Sequence, residues 1–142
     1  ESGQMRLAGG VAVLSGFVPR VEGGDAEIDR VIRILEEAAL SPPSLAELQS
    51  QTGRQDIPVI LRLAARTGRV EAVERERYYA RTALDRFAAT LTELGRNGAL
   101  VAPGAVRDRL GISRKFMIPL LEWADAKGIT VRVGEGRRLR NA

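Results

Sequence analysis

The sequence predicts a mainly α protein with small β-hairpin wings, arranged as tandem winged-helix (helix-turn-helix) modules, and three observations carry that expectation. Two stretches match at an offset near sixty residues: Gly53 with Gly111, Ile57-Pro58 with Ile118-Pro119, Leu61 with Leu121, Ala64 with Ala124 and Gly68 with Gly128. Such self-similarity marks a repeated structural unit. Each copy runs helix, short helix, turn, third helix and then an alternating stretch, which is the winged-helix order. The period also switches within each copy, from helical spacing before Gly68 and Gly128 to strand alternation after them. The expected division is a 1–22 segment, the tail of a preceding winged helix plus linker, then modules over 23–80 and 81–142.

Taken in order, Met5 to Val18 alternates loosely and is interrupted by Gly9-Gly10 and Gly16, as a terminal strand or hairpin would be. Pro19 to Gly24 has linker composition. A first helix is expected from Asp25, which can cap it, with Ile28, Ile32 and Leu35 on one face, and Ser41-Pro42-Pro43 stops it. Ser44-Leu45-Ala46-Glu47 is a capping box opening a short helix that ends at Gly53. A third helix over Ile57 to Thr67 ends at Gly68, and Arg69 to Tyr79 alternates like a hairpin. In the second copy, Thr82 to Asp85 offers another capping pair, ahead of a stripe of Leu84, Phe87, Leu91 and Leu94 broken by Gly95 to Gly98. Pro103 starts a short helix ending at Gly111. A longer one runs from Ser113 to Lys127, with Pro119 expected to bend it or disturb its first turns. Ile129 to Leu139 is then a hairpin turning at Gly134-Glu135-Gly136.

Composition narrows the function classes. Hydrophobic residues make up 44% of the 142, enough for a folded core. With 4% aromatics, that core must be mostly aliphatic. The longest apolar stretches, Gly10 to Leu14 and Ile57 to Leu61, are far too short to span a bilayer. Cysteine is absent, which excludes disulfides and thiolate metal sites and leaves the cytoplasm as the default location. Histidine is absent too, which removes the commonest general base and zinc ligand. The opening Glu1-Ser2-Gly3-Gln4 has no signal-peptide layout and reads as a cut from a longer protein or an expression scar.

No catalytic arrangement emerges. Gly9-Gly10, Gly23-Gly24 and Gly134-Glu135-Gly136 lack the Lys-Ser/Thr that a phosphate loop requires. Glu71, Glu74 and Glu76 alternate with arginines, as on solvated strand faces, rather than forming a pair with separated pKa values. The chain is therefore expected not to be an enzyme, and to hold no cofactor or metal.

The distribution of charge points to a polyanion. The chain carries +4 overall. From Pro103 onward, nine basic residues (Arg107, Arg109, Arg114, Lys115, Lys127, Arg132, Arg137, Arg138 and Arg140) face four acids, while Asp25 to Tyr79 is slightly acidic. Ser113 is a good N-cap, so Arg114 and Lys115 project from the first turn of the third helix. There they oppose the helix dipole, and an anionic ligand is the simplest reason for them. Arg132, Arg137, Arg138 and Arg140 lie on or beside the wing, and Arg107 can extend the patch. Trp123 shares a face with Phe116, Leu120 and Ala124, as a core residue would. The first copy has Arg54-Gln55-Asp56 where the second has its basic helix start, which suits a spacer or docking role. A DNA-binding transcription regulator and a protein-interaction module are the alternatives that composition leaves open.

Ser113-Arg114-Lys115, Pro119-Leu120-Leu121-Glu122, Asp125, Gly128-Ile129-Thr130 and Arg132-Val133-Gly134 resemble the C-terminal winged-helix region of bacterial selenocysteine-specific elongation factor, SelB. The similarity is most specific over Val106 to Leu139. The resemblance implies an RNA-binding second module that holds the selenocysteine insertion sequence (SECIS), an mRNA hairpin beside a UGA codon. It implies RNA contacts through Arg107, Ser113, Arg114, Lys115, Arg132 and Arg137. GTP and Mg would belong to the missing N-terminal part. The ribosome and selenocysteyl-tRNA would be partners through the parent protein, with no membrane partner and a monomeric chain expected.

Overall fold

Residues 23–140 are described by the computed structural model, and they build two apolar cores, one per repeat. The span before Gly23, where a hairpin and linker are expected, lies outside the described residues. The first repeat contains α1 (Gly24–Ala38), α2 (Leu45–Thr52), α3 (Ile57–Arg66), β1 (Val70–Glu74) and β2 (Arg77–Ala80). The second contains α4 (Arg81–Leu94), a 3₁₀ turn (Arg96–Gly98), α5 (Pro103–Leu110), α6 (Arg114–Ala126), β3 (Thr130–Val133) and β4 (Gly136–Leu139).

Local chemistry explains most boundaries. In α1, Val31, Ile32 and Leu35 turn one face inward, as their spacing requires. Asp25 does not cap this helix. The helix starts one residue earlier, behind left-handed Gly23, and Asp25 sits in the first turn, where its charge complements the helix dipole. The capping box of α2 is complete: the Ser44 hydroxyl accepts from the Glu47 amide at 3.2 Å, and the Glu47 carboxylate accepts from the Ser44 amide at 2.8 Å. Those bonds, the backbone one foremost, hold the Glu47 carboxyl below its usual range. Gly53 and Gly111 end α2 and α5 with φ of 71° and 65°, a conformation that only glycine adopts cheaply.

The second capping pair expected at Thr82 and Asp85 is not formed. β2 feeds α4 without a break, so Ala80 occupies the cap position and the Arg81 amide donates to the Arg69 carbonyl at 2.8 Å. Pro119 lies within α6, which continues through it. The helical bond it removes would have ended on the carbonyl of Lys115, an exposed first-turn residue that water can reach.

The wings are two antiparallel hairpins. β1 and β2 pair from Val70↔Ala80, with an irregularity between Ala72 and Glu74. β3 and β4 pair from Thr130↔Leu139 to Val133↔Gly136, leaving Gly134-Glu135 as a two-residue turn. Val101 adds a short third rung, exchanging backbone hydrogen bonds of 2.7 and 2.9 Å with Arg137. On β3 the inward residue is Thr130, whereas Val131 and Val133 face outward.

The cores are not independent. Leu40 and Tyr79, both from the first repeat, are buried in the second core beside Leu84, Phe87 and Trp123. The Tyr79 hydroxyl has no hydrogen-bond partner, and burial pushes its pKa well above the usual phenol value. Two small modules thus share apolar surface that each lacks alone.

Candidate nucleic-acid interface

The two third helices differ where function would differ. Pro58 is the second residue of α3, but the matching Pro119 is the sixth of α6. α6 therefore carries an added N-terminal turn, and that turn contains Arg114 and Lys115. In the first repeat the equivalent chain stays non-helical. There the Arg54 guanidinium grips the Asp56 carboxylate through two bonds of 2.8 and 2.7 Å, which hold its carboxyl below the usual range. The cation ahead of α3 is internally neutralised. Among the described residues, Arg114, Lys115 and Arg132 form no ion pair.

Buried Met117, Leu120, Leu121 and Ala124 anchor α6 and force Arg114 and Lys115 outward. Ser113 occupies the cap position with extended backbone, and its carbonyl accepts from Phe116 and Met117 at 3.1 and 3.0 Å. Its side chain makes no capping bond, so the expected serine cap is present in position only. Ser113, Arg114 and Lys115 are all exposed at this helix start, a position suited to an anion.

Arg114 and Arg132 line one concavity of about 280 Å³ between α6 and the second wing, over a floor of Met117, Ile118 and Leu121. Arg132 is steadied by donating from Nε to the Gly134 carbonyl at 3.1 Å. Glu122 and Glu135 contribute acceptors to the same walls.

Arg137 requires a correction to the expected exposed patch. Arg132 and Arg137 are cross-strand partners, and Arg137 is only 5% exposed. Its Nε donates to Asp125 at 3.0 Å, and the same carboxylate oxygen accepts from the Thr130 hydroxyl at 2.7 Å. A buried cation needs such a partner. Arg137 borders the concavity but is committed to holding the wing on α6.

Lys115 diverges from Arg114. Its ammonium lies 5.4 Å from the Phe116 ring centroid, and it lines a separate groove between the repeats with Arg77, Pro42 and Glu47. Arg107 is exposed on α5, 3.6 Å from Asp108, and does not line the concavity. Arg138 and Arg140 are exposed.

Sequence reasoning placed Glu71 on a solvated strand face, but it is the hub of the contact between repeats. Its carboxylate accepts from the Trp123 indole at 2.8 Å and from Lys127 at 2.7 Å, and it also pairs with Arg81. Burial pushes its pKa up, but bonds from Lys127, Trp123 and Arg81 outweigh that and hold it at about 2. No local signal could reveal this, because Glu71 and Trp123 are 52 residues apart.

Comparison with known proteins sets this geometry in a family. The family described as "Elongation factor SelB, winged helix" matches residues 92–139. The mRNA-binding domain of elongation factor SelB from Escherichia coli, solved in complex with SECIS RNA, superimposes with a TM-score of 0.69 at 30% identity, over 82% of this chain and 98% of that one. This chain belongs to the SelB family. A SelB relative, the selenocysteine-specific elongation factor of Desulfomicrobium baculatum, is 29% identical over 143 residues, covering 99% of this chain and 23% of that protein. The corresponding Escherichia coli K12 protein is 35% identical over 98 residues, 68% of this chain and 16% of that protein. The chain thus spans about a quarter or less of the curated relatives it matches. A bacterial EF-Sec crystal structure shares the fold, with a TM-score of 0.68 at 24% identity over 83% of this chain and 19% of that one. Among the described residues, no helix is long and apolar enough to cross a membrane.

Proposed function

We propose that this chain is a non-catalytic mRNA-hairpin binder of the SECIS class, which tethers a selenocysteine-specific elongation factor beside a UGA codon in the cytoplasm. The observation that carries this reading is the placement of two guanidiniums that form no ion pair among the described residues, Arg114 and Arg132, along the concavity between α6 and the second wing. A-form RNA has a major groove too narrow for a helix to enter, so specific binders take hold of loops and bulges. A helix start and a wing tip, facing each other across an apolar floor, can clamp backbone phosphates on both sides of an unpaired nucleotide. Arginine suits the clamp because its planar fork presents two parallel donors to one phosphate. Ser113 and Lys115 flank the clamp, Arg107 extends the positive field, and Arg137 fixes the wing.

The described residues do not fit a nucleotide–Mg site. They contain no group of three or more acidic side chains able to hold a metal ion, and Gly134 belongs to a tight wing turn rather than a phosphate loop. GTP, Mg and selenocysteyl-tRNA would be handled by other parts of a longer protein, and ribosome contact would come through them.

The test is a fluorescence titration of the chain with a bulged SECIS hairpin, the same hairpin with a scrambled loop, and a DNA duplex, each at several salt concentrations. The native hairpin should bind tightest. Arg114→Ala should weaken it roughly 10- to 100-fold and make the salt dependence shallower by about one phosphate contact. Equal affinity for all three ligands would reduce the patch to a generic basic surface, and no binding at low salt would refute the proposal.

A further inference from the structure

We infer that the first repeat's hairpin is a brace for the RNA-reading helix of the second, with Glu71 and Arg77 as positioning residues for Arg114. This rests on the RNA-binding reading above and assigns the first repeat a part in it.

α6 shows two faces to two wings. Met117, Ile118 and Leu121 line the concavity shared with the second wing. Phe116, Trp123 and Lys127 are spaced by seven and four residues, which places them on one helical face. All three meet the first wing. At the front, the Arg77 guanidinium of β2 lies 4.9 Å from the Phe116 centroid. That guanidinium is itself fixed: it donates to the Pro42 carbonyl at 2.5 Å, lies 3.5 Å from Glu74, and its side chain is 11% exposed. At the rear, the Glu71 carboxylate of β1 holds both the Trp123 indole and Lys127.

The front contact is one turn or less from the cations that would touch RNA. Phe116 follows Arg114 and Lys115 directly, so whatever orients its ring orients the helix start. The rear contact lies about 10 Å further along the helix axis. Two anchors that far apart resist tilting of α6, which a single anchor would not. They also resist rotation, because Trp123 and Lys127 converge on one carboxylate. The second wing adds no side-chain hydrogen bond at the front of α6 among the described residues, since its bonds from Arg137 and Thr130 both end on Asp125 near the rear. A binding site held to within roughly half an ångström avoids ordering costs on association.

The charge of Glu71 makes the inference testable against plain electrostatics. Removing a carboxylate from an RNA-binding protein should leave RNA affinity equal or raise it, whereas loosening the brace should lower it. In the hairpin titration, Glu71→Ala and Arg77→Met are expected to weaken binding about 5- to 10-fold through lost preorganisation. The Glu71→Ala salt dependence should stay unchanged, because no phosphate contact is removed. Arg77→Lys, which keeps a cation over Phe116, should recover part of the loss. A second measurement needs no RNA. The chain has no cysteine, so Arg62→Cys on α3 and Ala105→Cys on α5, both exposed, place one spin label on each repeat. The brace requires a narrow distance distribution that broadens when Glu71→Ala is added. Equal or tighter RNA binding by a folded Glu71→Ala protein, or an unchanged distance distribution, overturns the brace. If the parent chain binds no hairpin, the functional reading fails, and the distance measurement alone decides whether the brace exists.

Discussion

Replacing Arg137 and Arg132 by alanine, one at a time, separates two roles that look alike in sequence. They are cross-strand neighbours in one wing, yet Arg137 is 5% exposed and bound to Asp125, whereas Arg132 is exposed and its side chain, among the described residues, bonds to the Gly134 carbonyl. Removing one partner of a fully buried pair costs about 3–5 kcal/mol. Asp125 would keep its bond from Thr130, and its side chain retains 28% of its exposure, so part of that penalty is relieved by water. About 2–3 kcal/mol is therefore expected for Arg137→Ala. At roughly 3–5 °C per kcal/mol for a chain of this size, the melting temperature should fall by about 6–15 °C. Arg132→Ala should stay within about 0.5 kcal/mol of the parent and instead weaken the RNA hairpin. Thermal unfolding followed by circular dichroism, beside the hairpin titration, reads both quantities. An Arg137→Ala protein that melts with the parent and yet loses RNA would refute the assignment of Arg137 to the wing anchor.

Gly136→Ala should disturb the same wing by another route. A Cβ there would lie 2.9 Å from the Val101 carbonyl, which is backbone and cannot swing away, so a loss of about 1–3 kcal/mol is expected in urea unfolding. Ser44→Ala removes one half of the α2 capping box and should cost about 1 kcal/mol in the same assay, without touching RNA affinity. The pH dependence should carry the signature of Glu71. Its folded pKa of about 2 lies below the ordinary 4.5, so its contribution is complete above pH 4.5 and is lost as pH falls from there toward 2. The stability gap between the parent and Glu71→Gln should be constant above that window and close within it. A gap that instead widens on acidification would contradict the bonding assigned to this carboxylate.

The sequence by itself determined the repeated order of helices and hairpins, because period and punctuation are local. Apolar spacing marks the buried face of α1 and α4, glycines at Gly53 and Gly111 supply left-handed termini, and Ser44 and Glu47 close a capping box within four residues. It also located the basic helix start, since net charge survives any folding. Asp25 and Thr82 were misplaced as caps because a cap depends on where the chain enters the helix, and Gly23 and the β2–α4 junction decide that. Only tertiary structure divided the arginines. Cross-strand pairing puts Arg132 and Arg137 on one face of the wing, and the bond to Asp125 of α6 is what separates them, so alternation could not tell buried Arg137 from exposed Arg132. Nor could it find the bond between Glu71 and Trp123, whose partners are brought together by the packing of one repeat on the other. Composition and periodicity are properties of neighbours along the chain, whereas desolvation and ion pairing are set by neighbours in space.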